Sequence, residues 1–333
     1  MLYTRIMTLT RFGFNIPSFT YPGVDDSDMF SAVCAAAATA ENSGFDSLWV
    51  MDHFHQIPPM GPEHEPMLEP YTLLAALAPW TRTARLGALV TGVTYRNPAL
   101  LAKTVTTLDI VSGGRAVLGI GAAWYEAEHV AYGYEFLPVG ERMHRLEDAV
   151  QICRAMFDGG PATLVGKRHR IDGALNRPRP INPGGPPILV GGGGERRTLA
   201  IAARYADACN IFGDPAGIRH KLNVLESHCE RAGRDPAEIS KTRLGALVMA
   251  DTAAEAARLG ADMRARRNMS MEKYRGYAIE GDHDGVCDQV AALFDAGLDG
   301  LIFNMHDATD LSAIAEAGTV LRDNFGTSAQ KFA

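Results

Sequence analysis

The chain has 333 residues, of which 47% are hydrophobic and 21% charged, with 34 Gly and 18 Pro. This is the composition of an ordinary globular protein and excludes disorder, collagen and coiled coil. Its 32 Lys and Arg against 39 Asp and Glu leave a net charge of -7, which opposes non-specific attraction to nucleic acid or an anionic membrane and requires any anionic ligand to meet a local positive site.

In chain order, short β-rich runs predict strands at residues 12–16, 47–51, 85–91, 116–121, 188–190, 208–212, 244–250 and 301–304. Amphipathic segments at 28–43, 71–81, 99–111, 141–157, 196–205, 217–232, 252–267 and 284–296 alternate with them, and 311–324 closes the chain. Eight strands, each followed by a helix, predict an α/β fold: a (β/α)8 TIM barrel in a single domain over residues 1–333. Residues 55–68, 122–139, 162–187 and 268–282 exceed the minimal barrel. They read as insertion loops at the C-terminal face of the strands, where barrels carry binding walls and lids.

No apolar run approaches the roughly 20 residues of a membrane span. Residues 1–11 lack the apolar region and cleavage site of a secretory leader. The five cysteines, Cys34, Cys153, Cys209, Cys229 and Cys287, share no metal or redox spacing. A cytoplasmic protein with reduced thiols, no metal site and no membrane or nucleic-acid partner is expected.

Barrel active sites lie at strand C-termini, so the residues following each strand are the first candidates. The second strand runs into Asp52-His53-Phe54-His55. A His beside a carboxylate is a candidate acid/base pair, because a nearby charge moves the imidazole across neutrality; a turn cap at Asp52 with a packed His53 is the alternative. Around Leu89, Val90, Thr91 and Gly92, glycines in the third strand indicate a bulge or a close backbone approach to something flat. After the fourth strand, Gly121, Ala122 and Ala123 set small residues beside Trp124 and Tyr125, which accommodates a planar ring and equally packs a barrel rim.

The fifth strand ends in Gly191, Gly192, Gly193 and Gly194 and opens onto a helix expected from Glu195. Unpaired N–H groups at a helix start favour a phosphate, with Arg196 and Arg197 adding charge. Neither P-loop nor GxGxxG spacing is present, and a flexible connector is the alternative. Asp282, His283 and Asp284 read as a helix N-cap, and Glu63-His64-Glu65 fits no zinc spacing.

Taken in order, Gly44 to Phe54, Arg96-Asn97-Pro98 through Gly113-Gly114-Arg115, Leu118 to Trp124, and Ile188 to Gly194 followed by Ala203-Arg204-Tyr205-Ala206-Asp207-Ala208 resemble the luciferase-like monooxygenase superfamily, in its coenzyme F420-dependent branch. The resemblance implies an oxidoreductase that transfers hydride between a deazaflavin and a small organic substrate. It implies a cofactor phosphate at Gly191 to Glu195, a non-proline cis peptide near Leu89-Val90, and an Asp52-His53 pair beside the reactive ring, with Asp52 orienting the imidazole. A homodimer is the expected assembly. The sugar-phosphate dehydrogenases of that branch carry a Trp shortly after Asp-His-Phe and a Glu after the fourth strand's glycines. Here Gln56-Ile57 and Trp124 hold those places, with Glu126 and Glu128 further on, so a sugar-phosphate substrate is not carried over. Two other readings stay open: an FMN-dependent monooxygenase using oxygen, and a non-catalytic flavin- or deazaflavin-binding protein.

Overall fold

A computed structural model describes residues 9–58, 60–305 and 308–326; residues 1–8 of the segment read above for a leader lie outside it. The chain alternates β1 (Phe12–Ile16), α1 (Met29–Ser43), β2 (Ser47–Val50), α2 (Pro70–Leu77), β3 (Arg85–Ala88), β4 (Thr91–Gly92), α3 (Pro98–Val111) and β5 (Ala116–Gly121). Then come α4 (Glu126–Ala131), α5 (Val139–Phe157), β6 (Ala162–Val165), β7 (Arg170–Ala174), β8 (Ile188–Gly191), α6 (Thr198–Tyr205), β9 (Ala208–Ile211) and α7 (Pro215–Ala232). The last part holds β10 (Ser240–Met249), α8 (Ala253–Arg266), α9 (Met271–Arg275), β11 (Ala278–Gly281), α10 (His283–Asp295), β12 (Gly300–Met305) and α11 (Leu311–Phe325).

Strands β12, β1, β2, β3, β5, β8, β9 and β10 pair in that order, all in parallel, and β10 pairs with β12 to close the ring. This is a (β/α)8 barrel. Both faces of every strand are covered, which is why β1, β2, β5 and β9 are buried at each position and read as continuous rather than alternating apolar runs. The inside is filled by Trp49, Leu89, Val117, Leu189, Ala208 and Ile302. A Cβ on Gly13 would lie 2.8 Å from Trp49 Nε1, so only glycine lets the indole occupy the centre. That indole donates to Ser47 Oγ at 2.7 Å, as a buried N–H must.

Several helices begin earlier than the apolar pattern suggests. Pro98 and Pro215 occupy the first helical positions of α3 and α7, where a missing N–H costs nothing, and Asn97 and Asp214 cap them from outside. The expected helix from Glu195 is a correction in the other direction, because α6 starts at Thr198 and residues 195–197 form a turn.

The insertions acquire structure of their own. Residues 122–139 contain α4, residues 162–187 contain the antiparallel hairpin β6–β7, and residues 268–282 supply α9 and β11. Strand β11 pairs with the last four residues of β10. The third strand, expected to run unbroken to Thr91, is interrupted by a cis peptide at Leu89-Val90, after which Thr91–Gly92 pairs with β5 as β4. All five cysteines are free, with Cys34, Cys153, Cys209 and Cys229 buried. Among the described residues, no helix is long and apolar enough to cross a membrane.

Candidate active site

A cavity of about 550 Å3 opens at the C-terminal ends of the strands. Of the residues expected there, Asp52, His53, Leu89, Val90, Gly92, Gly121, Ala122, Ala123, Gly191 and Gly192 line it. Thr91 is buried beneath it, its Oγ1 2.6 Å from the Tyr71 hydroxyl. Gly193, Gly194, Glu195, Arg196 and Arg197 continue from the rim, outside the cavity lining.

Glycines shape the cavity wall below the cis peptide. A Cβ on Gly121 would meet Val90 Cγ2 at 2.7 Å, and one on Gly191 would meet Val90 Cγ1 at 2.7 Å. The bulge carrying Val90 therefore sits down against β5 and β8 only because both strands lack side chains there. Ala123 has a positive φ of 58, unusual for a residue with a Cβ. Arg142, which is buried, donates to the Ala123 carbonyl and holds that backbone.

His53 and Asp52 part company. Asp52 is buried, accepts from Arg96 Nη1 at 2.7 Å and from the Gly92 N–H at 2.9 Å, and makes no hydrogen bond to the imidazole. Burial raises its pKa, and Arg96, the Gly92 N–H and His53 pull the other way. Arg96 continues to Glu69 Oε1 at 2.7 Å and lies 5.1 Å from the Tyr71 ring. The orientation of His53 by Asp52 is thus corrected. Arg96 claims the carboxylate first, leaving Asp52 to pin the Gly92 backbone.

The imidazole is held by Glu128, whose Oε2 lies 3.0 Å from His53 Nδ1. That carboxylate is fully buried on α4 and also accepts from the Tyr95 hydroxyl at 2.6 Å, from the Phe54 N–H and from the His55 N–H at 3.4 Å. Burial pushes the Glu128 pKa up, but hydrogen bonds from His53, Tyr95 and Phe54 outweigh it and hold the group below the ordinary carboxylate range. With Nδ1 engaged, Nε2 is the imidazole nitrogen left for the cavity. Trp124 and Tyr125 flank the ring edge-on at 5.9 and 6.2 Å.

At the glycine loop, Gly192 has φ +124 and donates to the Asn210 carbonyl. The Gly193 and Gly194 N–H groups meet no acceptor among the described residues. Thr198 Oγ1 would lie 2.8 Å from a Cβ on Gly194, and Lys221 Nζ 3.0 Å from one on Gly193. Lys221, from α7, was not singled out by the sequence because the barrel brings α7 beside the loop only after folding. Arg196 is exposed, and Arg197 donates to the Gly140 carbonyl at 3.0 Å. A flat wall, unpaired N–H groups and a Lys ammonium fit a planar ring with an anionic tail.

Away from this cavity, Asp251, His283 and Glu316 bring ligand atoms within 4.8 Å of one another at the surface. His283 Nε2 spends itself on Glu316 at 2.7 Å, while Asp282 caps α10 as expected.

The luciferase-like monooxygenase family matches residues 10–275, and the chain belongs to it. Over 173 residues it is 30% identical to the F420-dependent glucose-6-phosphate dehydrogenase of Amycolatopsis mediterranei, covering 51% of this chain and 48% of that one. The aligned stretches span between 36% and 60% of the length of the first curated relatives. The coenzyme F420-dependent tetrahydromethanopterin reductase of Methanopyrus kandleri superposes with a TM-score of 0.77 at 19% identity, covering 95% of this chain and 99% of that one. The FMN complex of the oxygenating constituent of 3,6-diketocamphane monooxygenase from Pseudomonas putida superposes with a TM-score of 0.73 at 20% identity, covering 95% and 97%. At such identities the two structures speak for the fold alone.

Proposed function

We propose that this protein is an F420-dependent oxidoreductase that transfers hydride between the deazaflavin and a small organic substrate held over it in the barrel mouth. The observation that carries this reading is a His53 imidazole anchored at Nδ1 by the buried Glu128 carboxylate, in the same cavity as the Val90 bulge and the glycine loop. The curated relative named as F420-dependent supports the choice of cofactor.

Bound there, the deazaflavin would supply the ring carbon that takes or gives hydride. Val90, Gly121 and Gly191 would back the ring, and Gly193, Gly194, Thr198 and Lys221 would hold its phosphate. His53 Nε2 would hold the proton that accompanies hydride transfer, with Glu128 fixing the tautomer and stabilising the charged imidazolium. Asp52 would act one step back, locking Gly92 and so the end of the bulge. A single domain, a homodimer and a cytoplasmic location belong to the same proposal.

The same cavity suits FMN, and the FMN-bound structural neighbour keeps an oxygen-dependent monooxygenase as the second reading. Parallel fluorescence titrations of cofactor-free protein with F420 and FMN decide between them. Tighter F420 binding by at least about tenfold, or 1.4 kcal/mol, is expected; the opposite order, with oxygen uptake on reduction, assigns the protein to the monooxygenases. Binding of either without turnover across a broad substrate panel would make it a carrier.

A further inference from the structure

Tyr277 lies between α9 and β11 and lines the same cavity as His53. Its backbone is fixed on both sides: its N–H donates to the Tyr274 carbonyl at 2.9 Å and its carbonyl accepts from the Ala246 N–H at 3.0 Å. The phenol oxygen accepts from Asn304 Nδ2 at 2.6 Å and from Arg267 Nη1 at 3.2 Å. A phenol has two lone pairs and one proton. Both lone pairs are taken, and among the described residues no acceptor lies within hydrogen-bond reach of the proton.

The direction of these bonds is set chemically. Arg267 can only donate. Asn304 Oδ1 accepts from Asn15 Nδ2 at 2.7 Å, which turns the Asn304 amide nitrogen toward the phenol. Flipping both amides would leave the whole buried Asn15 NH2 group unpaired. The present arrangement leaves only Asn15 Oδ1 without a partner, and orphaned acceptors are the less rare kind.

We propose that the Tyr277 hydroxyl is the hydrogen-bond donor that recognises a carbonyl oxygen on the substrate, and that the substrate is a largely apolar ketone or aldehyde. This rests on the function proposed above in placing the substrate in this cavity. Much of the cavity wall is apolar, with Met51, Ile57, Leu89 and Leu244 among its residues. Asn210, another amide in the lining, donates through Nδ2 to Thr242 Oγ1 at 2.9 Å. The Arg267 guanidinium at the phenol oxygen makes Tyr277 a stronger donor.

The test uses 4-(dimethylamino)cinnamaldehyde, whose absorption moves to longer wavelength when its carbonyl oxygen accepts a strong hydrogen bond. Titrated with cofactor-free protein, wild type and His53→Ala should both give the red-shifted band. Tyr277→Phe should lose the shift and bind the aldehyde about 3- to 10-fold more weakly, with F420 and FMN affinities unchanged within about twofold. Asn304→Asp should also lose the shift with Tyr277 in place, because the carboxylate captures the phenol proton; a purely space-filling Tyr277 would not respond this way. Absence of a shift in wild type, its persistence in Tyr277→Phe, or a tenfold loss of cofactor affinity in that variant overturns the proposal. A preference for FMN over F420 would instead sink the hydride-transfer reading and leave the aldehyde result intact.

Discussion

His53 and Glu128 stand 75 positions apart in the sequence, and their side chains meet at 3.0 Å. Glu128 also gathers the Phe54 and His55 N–H groups and the Tyr95 hydroxyl. One buried carboxylate thus orients the imidazole and fastens the loop that carries it. In Glu128→Gln at least one of these donors would face an amide NH2, at a cost of about 1–3 kcal/mol. Urea denaturation should show that loss, with kcat falling less than the about 100-fold or more expected for His53→Ala. In His53→Ala, cofactor affinity should hold while turnover collapses; unchanged turnover would remove His53 from the chemistry.

The same group makes stability depend on acid. The Glu128 pKa is held below its ordinary 4.5 in the folded protein, so its contribution is complete above pH 4.5 and is lost as pH falls through the folded value. Thermal unfolding followed from pH 7 down to pH 3 should therefore be less steep in Glu128→Gln than in wild type over the acid limb. Parallel curves would show that the carboxylate does not titrate between the two states.

Arg96 bridges Asp52 and Glu69 with two different nitrogens while stacking near Tyr71. A Lys offers a single point charge and no planar face. Arg96→Lys should cost about 1–3 kcal/mol of stability, and Arg96→Met about 3–5 kcal/mol, because it leaves the buried Asp52 without its cation. Equal losses in chemical denaturation would show that charge alone matters at this position.

Glycines around the bulge should differ in severity. A Cβ on Gly191 meets the tip of Val90 at 2.7 Å, whereas one on Gly119 meets the Ala88 carbonyl oxygen at 2.1 Å. Gly191→Ala should displace Val90 at about 1–3 kcal/mol and weaken cofactor binding. Gly119→Ala presses on backbone that cannot yield and should prevent accumulation of folded protein, a contrast visible in yield and circular dichroism.

Lys221 should matter to a phosphate and not to a ring. In Lys221→Ala, FMN affinity should fall roughly 10- to 150-fold, the about 1.5–3 kcal/mol of one charge-assisted hydrogen bond. Affinity for riboflavin, which has the same ring without phosphate, should not move. Equal losses for the two ligands would place the phosphate elsewhere.

Barrel and glycine loop were legible in the sequence because both rest on local chemistry. Buried parallel strands read as short apolar runs wherever they occur, and a run of glycines between strand and helix advertises exposed N–H groups before any packing is known. His53 was legible in the same way, as a titratable residue at a strand end. The hairpin β6–β7 and strand β11 were not, since both are short and stabilised by the partners they meet, and the hairpin is also partly exposed.

The sequence alone therefore determined the eight-stranded architecture, the glycine wall and the place of His53 at a strand end that opens on the cavity. Tertiary structure decided who partners whom. Asp52 is adjacent to His53 in the chain, but chain neighbours leaving a strand point apart, so Asp52 turned to Arg96. Glu128 reaches the imidazole, Lys221 the glycine loop and Tyr277 the cavity itself, all from helices and insertions far along the chain, placed there by barrel closure, which no local pattern encodes.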